Sequence, residues 1–353
     1  MIKRVAAVQL SLRQLDVPAI LITNLTDVKY ISGFTGSTAY IIIDIEKAVF
    51  FTDSRYTIQA RNEVDNTIEI IEVKDYTDIF NQYCTKYKKI LLQSSCPLHI
   101  SSKISAHGID IYMDDKDFIK QHRMIKSDKE IKLIEQQYNL AGKAFLKALK
   151  TFKYGMSEKS WAASIEYYMK MLGAKGESFE TIVASKERGA MPHGTASNKI
   201  IEISDPVIID FGSRDLYTSD YTRMVYDGSD EEVLKIIAIV RTALEKSIDA
   251  VKTGMLAKEI DKTARDYIES QGYGKYFNHS LGHGVGMDVH ELPVLSTKGE
   301  IILEDNMVFT IEPGIYLPDK LGVRLEETVK ISGGKAELIS TELDKYVYHL
   351  ENN

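Results

Sequence analysis

Four acidic residues stand where acids are costly. Asp210 closes the apolar run Ile208-Ile209-Asp210-Phe211-Gly212, and Asp220 lies within Thr218-Ser219-Asp220-Tyr221-Thr222. A carboxylate at the end of a buried strand needs a partner for its charge. Nine residues separate the two, centred on Asp215. A hairpin with a three-residue loop from Arg214 to Leu216 would set them directly opposite, with Cβ atoms about 4.5–5.5 Å apart. Carboxylates that close repel unless one is protonated or a cation lies between them. Two solvated turn acids fit the same spacing. Glu312 and Glu326 repeat the arithmetic: thirteen residues lie between them, centred on Asp319 in the turn-forming Pro318-Asp319-Lys320. Pairing outward from that turn brings the glutamates opposite each other, with Pro313 implying an edge or a bulge.

His283 sits in Leu281-Gly282-His283-Gly284-Val285-Gly286, where glycines let other groups approach the backbone closely. A tight turn with an incidental histidine is one alternative. A dinucleotide loop is another, weakened by the absence of a Val-rich strand before it and a helix after it. His290, in Val289-His290-Glu291, is not at the H-E-x-x-H spacing of zinc peptidases. His279 would reach His283 only on a helix, which Gly282 opposes. Taken together, four carboxylates and one imidazole make an oxygen-rich site with room for two divalent cations. Such a donor set suits Mn²⁺ or Co²⁺ better than a thiolate zinc site. Two cations about 3.5–4 Å apart would hold a bridging water, lower its pKa and stabilise charge developing on a carbonyl. The chemistry implied is hydrolysis of an amide bond.

The elements that must position these groups follow from the patterning. The 353 residues suggest two domains. The first 120 or so alternate strand-like runs, at Ala19 to Ile22, Ala39 to Ile45, Ala48 to Thr52, Ile68 to Val73 and Lys89 to Leu92, with helices. That is a small α/β domain. Before them, the spacing of Ile2, Val5, Leu10, Leu12 and Leu15 predicts an amphipathic helix rather than a signal peptide. Ser127-Asp128-Lys129-Glu130 is a capping box opening a helix to about Lys150, and Ser157 opens a second that stops near Gly173. Strand-like segments occupy Phe179 to Ala184 and Pro206 to Tyr226. The order then repeats: a capping box at Ser229-Asp230-Glu231-Glu232, helices to about Lys252 and from Leu256 to Gln271, then strands over Met307 to Tyr316 and Val323 to Ile331. Two rounds of helix, helix, strands predict two similar halves that form one sheet with helices on one face. The division falls at 1–122 and 123–353.

Composition narrows the function classes. A 44% hydrophobic, 27% charged chain with 22 glycines and 7 prolines is ordinary globular protein. Its net charge of −7 disfavours nucleic acid as a partner. Two cysteines, Cys84 and Cys96, make neither a disulfide framework nor a thiolate metal site, which points to a reducing, cytoplasmic setting. No window is apolar enough to span a membrane.

These motifs resemble the dinuclear metallopeptidases of the pita-bread fold, which include methionine aminopeptidase, aminopeptidase P and prolidase. The matching segments, in order, are Met191-Pro192-His193-Gly194, Asp210-Phe211-Gly212, Ser219-Asp220-Tyr221-Thr222-Arg223, Gly282-His283-Gly284-Val285-Gly286 with Val289-His290-Glu291, Ile311-Glu312-Pro313-Gly314-Ile315-Tyr316, and Gly322-Val323-Arg324-Leu325-Glu326. The N-terminal Ser32-Gly33-Phe34-Thr35-Gly36-Ser37 and Thr52-Asp53-Ser54-Arg55-Tyr56 are similar to the first domain of the Xaa-Pro-cleaving branch. The resemblance implies an α/β two-domain chain, with a creatinase/prolidase-like N-terminal domain ahead of a pseudo-twofold pita-bread α+β domain carrying a curved antiparallel sheet. It implies Asp210, Asp220, His283, Glu312 and Glu326 as ligands to two divalent metal ions, Mn²⁺ first and Co²⁺ or Zn²⁺ next, with Asp220 and Glu326 bridging. Glu312 would double as general base. His193 and His290 would contact the substrate or the tetrahedral intermediate, and Arg324 would support the substrate end of the site. Phe179 would wall the substrate pocket and Tyr316 would stand behind the ligands; plain core aromatics fit both positions. His279 would also stand behind the ligands. The chain has one residue fewer between Asp210 and Asp220 than the family usually shows, which places a shortened hairpin tip at Arg214 to Leu216.

The function implied is metal-dependent cleavage of an Xaa-Pro bond, whose tertiary amide and fixed φ most peptidases reject. The N-terminal segments lean towards an aminopeptidase P that takes longer peptides. The alternatives are a prolidase restricted to dipeptides and a non-catalytic pita-bread binding module. The partner expected is a proline-containing peptide, with a homodimer or larger homo-oligomer as the assembly.

Overall fold

Short apolar runs divided by polar helices give the first unit a six-stranded mixed sheet. The computed structural model describes residues 2–114 and 118–350, in two compact units, Met1–Arg123 and Met124–Asn353. In the first unit the strands lie in the order Glu69–Glu72, Ala48–Thr52, Tyr40–Asp44, Ala19–Ile22, Lys89–Gln93 and Asp110–Asp114. The Ala19–Ile22 strand is buried at every position, as a central strand covered on both faces must be. The edge strand Asp110–Asp114 has no counterpart in the sequence reading, because its mostly exposed side chains leave no apolar pattern to read. The helix Ile2–Gln14 forms as expected, but it buries Val8 and Leu12, one turn apart, whereas Leu10 is exposed. Gly33 ends the Leu25–Ser32 helix at φ 83°, a left-handed conformation that glycine adopts without strain.

Among the described residues the second unit holds four long helices, Asp128–Thr151, Glu158–Met171, Glu231–Ala250 and Ala257–Ser270. The first opens on the expected capping box: the Ser127 amide donates to Glu130 Oε2 at 2.8 Å, and the Glu130 amide reaches back to Ser127 Oγ. The third opens differently. Its cap is Asp230, whose Oδ1 accepts from the amides of Glu232 and Val233 at 2.8 and 3.2 Å. The carboxylate satisfies both free amides by itself, so no reciprocal box with Ser229 forms.

Among the described residues the expected single sheet is divided into one larger hydrogen-bonded sheet per half and two short two-stranded ribbons, the first of them Gly176–Glu177/Ser213–Arg214. The first half carries four strands in the order Val347–Tyr348, Tyr221–Val225, Val207–Phe211, Ile182–Ser185. The second carries five, Glu291–Leu295, Gly282–Gly284, Val308–Ile311, Glu327–Ser332 and Lys335–Leu338, with the short ribbon Gly314–Leu317/Leu321–Arg324 continuing its central hairpin. The break between sheet and ribbon falls at Pro313, which has no N–H to give to a ladder. Behind the second sheet, Ile236, Val240 and Leu244 of one helix and Ile260, Ala264 and Ile268 of the next join Phe309, Ile311 and Val329 in one apolar core. No helix among the described residues is long and apolar enough to cross a membrane.

Candidate metal centre

The aspartate hairpin differs from its expected register by two residues. Asp210 pairs with Thr222, and Phe211 with Tyr221, so the hairpin centres on Leu216 rather than Asp215 and Asp220 is not directly opposite Asp210. Tertiary contacts set this register. Gly212 lies so close to its partner strand that a Cβ there would stand 1.9 Å from the Ser219 carbonyl oxygen. Ser178 Oγ binds the Ser213 and Ser219 carbonyls at 2.8 and 2.9 Å, and Tyr217 at the tip donates to Glu130 Oε1 at 2.8 Å. A slip of two, unlike a slip of one, keeps both aspartates on the same face. The acids still converge: Asp210, Asp220 and Glu326 each offer an oxygen within 4.8 Å of the others.

The glutamate hairpin keeps the expected register. Its ladder runs from Val308↔Lys330 to Ile311↔Glu327 and resumes at Gly314↔Arg324, so the same register carries Glu312 opposite Glu326. His283 reaches them from the Gly282–Gly284 strand. Its amide donates to Thr310 Oγ1 at 3.0 Å, and its Nε2 lies 3.3 Å from Glu312 Oε1 and 3.5 Å from Asp220 Oδ2. The flanking glycines are required by close approach: a Cβ on Gly282 would stand 2.0 Å from the Thr310 carbonyl oxygen, and one on Gly284 2.1 Å from that of Leu292. The two halves of the site are tied directly, since the amide and hydroxyl of Thr218 both donate to the Gly286 carbonyl at 2.8 and 2.9 Å.

The electrostatics divide the acids into two kinds. Burial works against the Glu312 charge, yet the hydrogen bond and charge of His283 outweigh it and pull the carboxyl down to about 2. Burial likewise opposes charging His283, and Glu312 outweighs it, raising the imidazole. Burial pushes Asp210 up against the pull of the Arg324 guanidinium, whose Nη2 is 2.6 Å from Asp210 Oδ2. Asp220 and Glu326 go well above the ordinary carboxylate range, first from burial and then from the other acids around them. Two oxygens of the cluster, Asp210 Oδ1 and Glu326 Oε1, are buried with no hydrogen-bond partner among the described residues. Buried carboxylate oxygens left bare are costly. A divalent cation satisfies both the orphaned oxygens and the surplus negative charge, so the donor set fits metal.

The remaining expected residues surround this cluster. Arg324, 3% exposed, also donates to Thr222 Oγ1 at 3.1 Å, Tyr316 Oη at 3.1 Å and the Pro192 carbonyl at 3.0 Å. Tyr316 is buried and meets His279 Nε2 at 3.0 Å. The His290 ring is exposed, with its centroid 4.2 Å from that of His283. His193 is exposed in the turn after the 3₁₀ segment Lys186–Ala190, close enough that its charge acts on His279 and His290. Phe179 is half-buried on a bend before the Ile182–Ser185 strand, which begins later than the sequence suggested.

Two hydroxyls escaped the sequence reading. Thr222 donates to Glu326 Oε2 at 2.9 Å while accepting from Arg324, and Thr310 supports both His283 and Glu312. Neither carries a sequence signal of its own: the strand that holds Thr222, Tyr221–Val225, begins only after Asp220, so strand periodicity does not link the two. The pair of buried Asp261 and half-buried Arg265, which holds the Leu281 amide and the Phe277 and His279 carbonyls, likewise gives no signal because it acts from a helix.

Known proteins resemble this chain in sequence and fold. Residues 132–332 match Metallopeptidase family M24, and residues 4–125 match the Creatinase/Prolidase N-terminal domain. An Xaa-Pro dipeptidase of Pyrococcus horikoshii is 40% identical over 332 residues, covering 93% of this chain and 94% of that protein. The solved prolidase from Pyrococcus horikoshii OT3 superposes with a TM-score of 0.91 at 38% identity, over 96% of this chain and 97% of the other. The solved X-Pro aminopeptidase from Thermotoga maritima MSB8 gives 0.86 at 40% identity, over 96% and 99%. With the fold and both domain matches in agreement, the chain belongs to metallopeptidase family M24.

Proposed function

We propose that this protein is an Xaa-Pro dipeptidase working with two divalent cations held by Asp210, Asp220, His283, Glu312 and Glu326. The observation that carries the reading is the pair of orphaned buried oxygens, Asp210 Oδ1 and Glu326 Oε1, within an acid cluster too dense to stay charged by itself. When bound, the cations supply Lewis acidity to the scissile carbonyl and an activated water. The oxygen-rich donor set favours Mn²⁺.

The chain's own groups do the rest. Glu312 Oε1, oriented by His283 Nε2 and Thr310 Oγ1, takes up the proton of the attacking water and passes it towards the leaving proline nitrogen. His290 and His193, both exposed at the cluster's rim, hold the substrate and the oxygen that becomes negative. Arg324 is too enclosed to reach a peptide freely; it fixes Asp210, Thr222 and Tyr316 in place. Asp220 and Glu326, which face mainly other carboxylates, are suited to bridge both cations.

The preference for dipeptides over longer peptides comes from the relatives. The Pyrococcus protein at 40% identity is an Xaa-Pro dipeptidase, which outweighs the lean towards aminopeptidase P taken from the N-terminal segments. The second reading, an X-Pro aminopeptidase, is favoured by the Thermotoga structure at equal identity. Steady-state kinetics on Xaa-Pro and Xaa-Pro-Xaa peptides with Mn²⁺, Co²⁺ and Zn²⁺ in parallel decide between them. Cleavage of dipeptides alone is expected; comparable kcat/KM on tripeptides would select the aminopeptidase. No cleavage with any metal would remove both.

A further inference from the structure

Glu158 is fully buried at the first position of the Glu158–Met171 helix, yet it lies in a different element from every residue of the acid cluster. A buried carboxylate with no assigned chemistry needs an explanation. Its two oxygens accept five hydrogen bonds. Oε1 takes the amide and hydroxyl of Ser185, each at 2.8 Å. Oε2 takes the Ser197 amide at 3.0 Å, its hydroxyl at 2.6 Å, and Arg188 Nε at 2.8 Å. Ser185 and Ser197 are the two legs of one loop, Arg188 lies within it, and His193 is at its exposed end. The start of the helix grips the same loop through its backbone, the Glu158 and Lys159 amides donating to the Lys199 and Ser197 carbonyls at 3.0 and 2.9 Å.

The far side of the loop is fixed against the site. Gly189 and Gly322 touch backbone to backbone, so that a Cβ on Gly322 would stand 1.8 Å from the Gly189 carbonyl oxygen. The Pro192 carbonyl, next to His193, accepts from Arg324 at 3.0 Å. The loop is therefore clamped at its base by the Glu158 carboxylate, beside the Lys199 ammonium on the Ser185 carbonyl at 2.9 Å, and at its end by one guanidinium. We propose that Glu158 is a positioning residue for substrate: it closes the 185–197 loop around a single acceptor and so fixes where His193 meets the peptide. The proposal rests on the reading of His193 as a substrate contact.

The test is a double-mutant cycle. Glu158→Gln keeps the size but turns one acceptor oxygen into a donor that faces hydroxyl, amide and guanidinium donors. It should lower kcat/KM on Xaa-Pro by about tenfold or more while bound Mn²⁺ per chain stays at the wild-type level. In the His193→Ala background the same change should cost less than about twofold, because groups acting as one unit are not additive. Equal losses in both backgrounds, or loss of bound Mn²⁺, would overturn the proposal. If Glu158→Gln does not fold, Ser197→Ala removes one leg of the clamp and runs in the same cycle. Amide hydrogen exchange gives a readout independent of activity: it should speed up across residues 186–199 and stay unchanged in the Val207–Phe211 strand. Unchanged exchange in the loop would also overturn the proposal. Should the wild-type protein with Mn²⁺ cleave no Xaa-Pro peptide, the functional reading falls, and the exchange experiment still decides whether Glu158 holds the loop.

Discussion

The two hairpins that supply the acids solve one problem in different ways. In the glutamate hairpin the acids share a register position, Glu312 across from Glu326, beside the point where Pro313 interrupts the ladder. In the aspartate hairpin Asp210 is across from Thr222, and Asp220 sits two residues nearer the turn. Despite this, the charge pattern is the same in both. Each hairpin has one acid under the downward pull of a cationic side chain, Asp210 by Arg324 and Glu312 by His283, and one that burial and the other acids push well up, Asp220 and Glu326, even though His283 Nε2 also lies 3.5 Å from Asp220. The equivalence of the halves is thus electrostatic rather than positional. Thr222 fills the place opposite Asp210 and hydrogen-bonds the other hairpin's Glu326, joining the two sets.

The sharpest way to break this pairing is to remove one of the carboxylates that burial and the neighbouring acids push well above the ordinary range. Asp220→Ala should lose bound metal and activity together, measured by elemental analysis and turnover; an active variant holding both ions would end its role as a bridge. Glu312→Gln should bring kcat to background, a fall of about 100-fold or more, with the fold retained by circular dichroism. Turnover at the wild-type rate would remove Glu312 as the base. Thr222→Val, which deletes the hydroxyl linking the hairpins without changing side-chain shape, should cost about 10–100-fold in metal affinity or kcat/KM. Thr222→Ser should recover most of that. A silent Thr222→Val would leave the hairpins as independent carriers.

The smallest effect concerns pH. In the metal-free protein Asp220 and Glu326 stand above their ordinary values of 3.8 and 4.5. Acids raised on folding bind protons more tightly in the folded state. Their stabilising contribution is complete below those ordinary values and is lost as pH rises through the raised ones. The gap in melting temperature between metal-loaded and metal-free protein should therefore widen from pH 5 to pH 8. A gap that narrows over that range in a thermal scan would contradict the assignment.

What could be read in advance differs between the same two hairpins. Pro318-Asp319-Lys320 has local turn chemistry, Asp319 adopts a positive φ of 56°, and the glutamate register followed from it. The aspartate tip, Arg214 to Tyr217, has no glycine or proline to mark it. Its register is set by Ser178, Glu130 and Gly286, residues distant in sequence. The five cluster residues were recognisable from type and order, whereas Thr310, Thr222 and Glu158 were not, because they act through hydrogen bonds that only the folded chain creates. The Gly282–Gly284 strand was hidden for a related reason: glycines leave no apolar alternation, and its fit is revealed only by how closely Thr310 and Leu292 approach.

Arg324 divides its donors between Asp210 Oδ2 and the carbonyl of Pro192. The acid cluster and the His193 loop consequently share one rigid fork, and neither can shift without pulling on the other. On the proposed function, cation affinity and peptide affinity are then linked quantities. By thermodynamic reciprocity, whatever factor a bound cation adds to the hold on the peptide, a bound peptide adds to the hold on the cation.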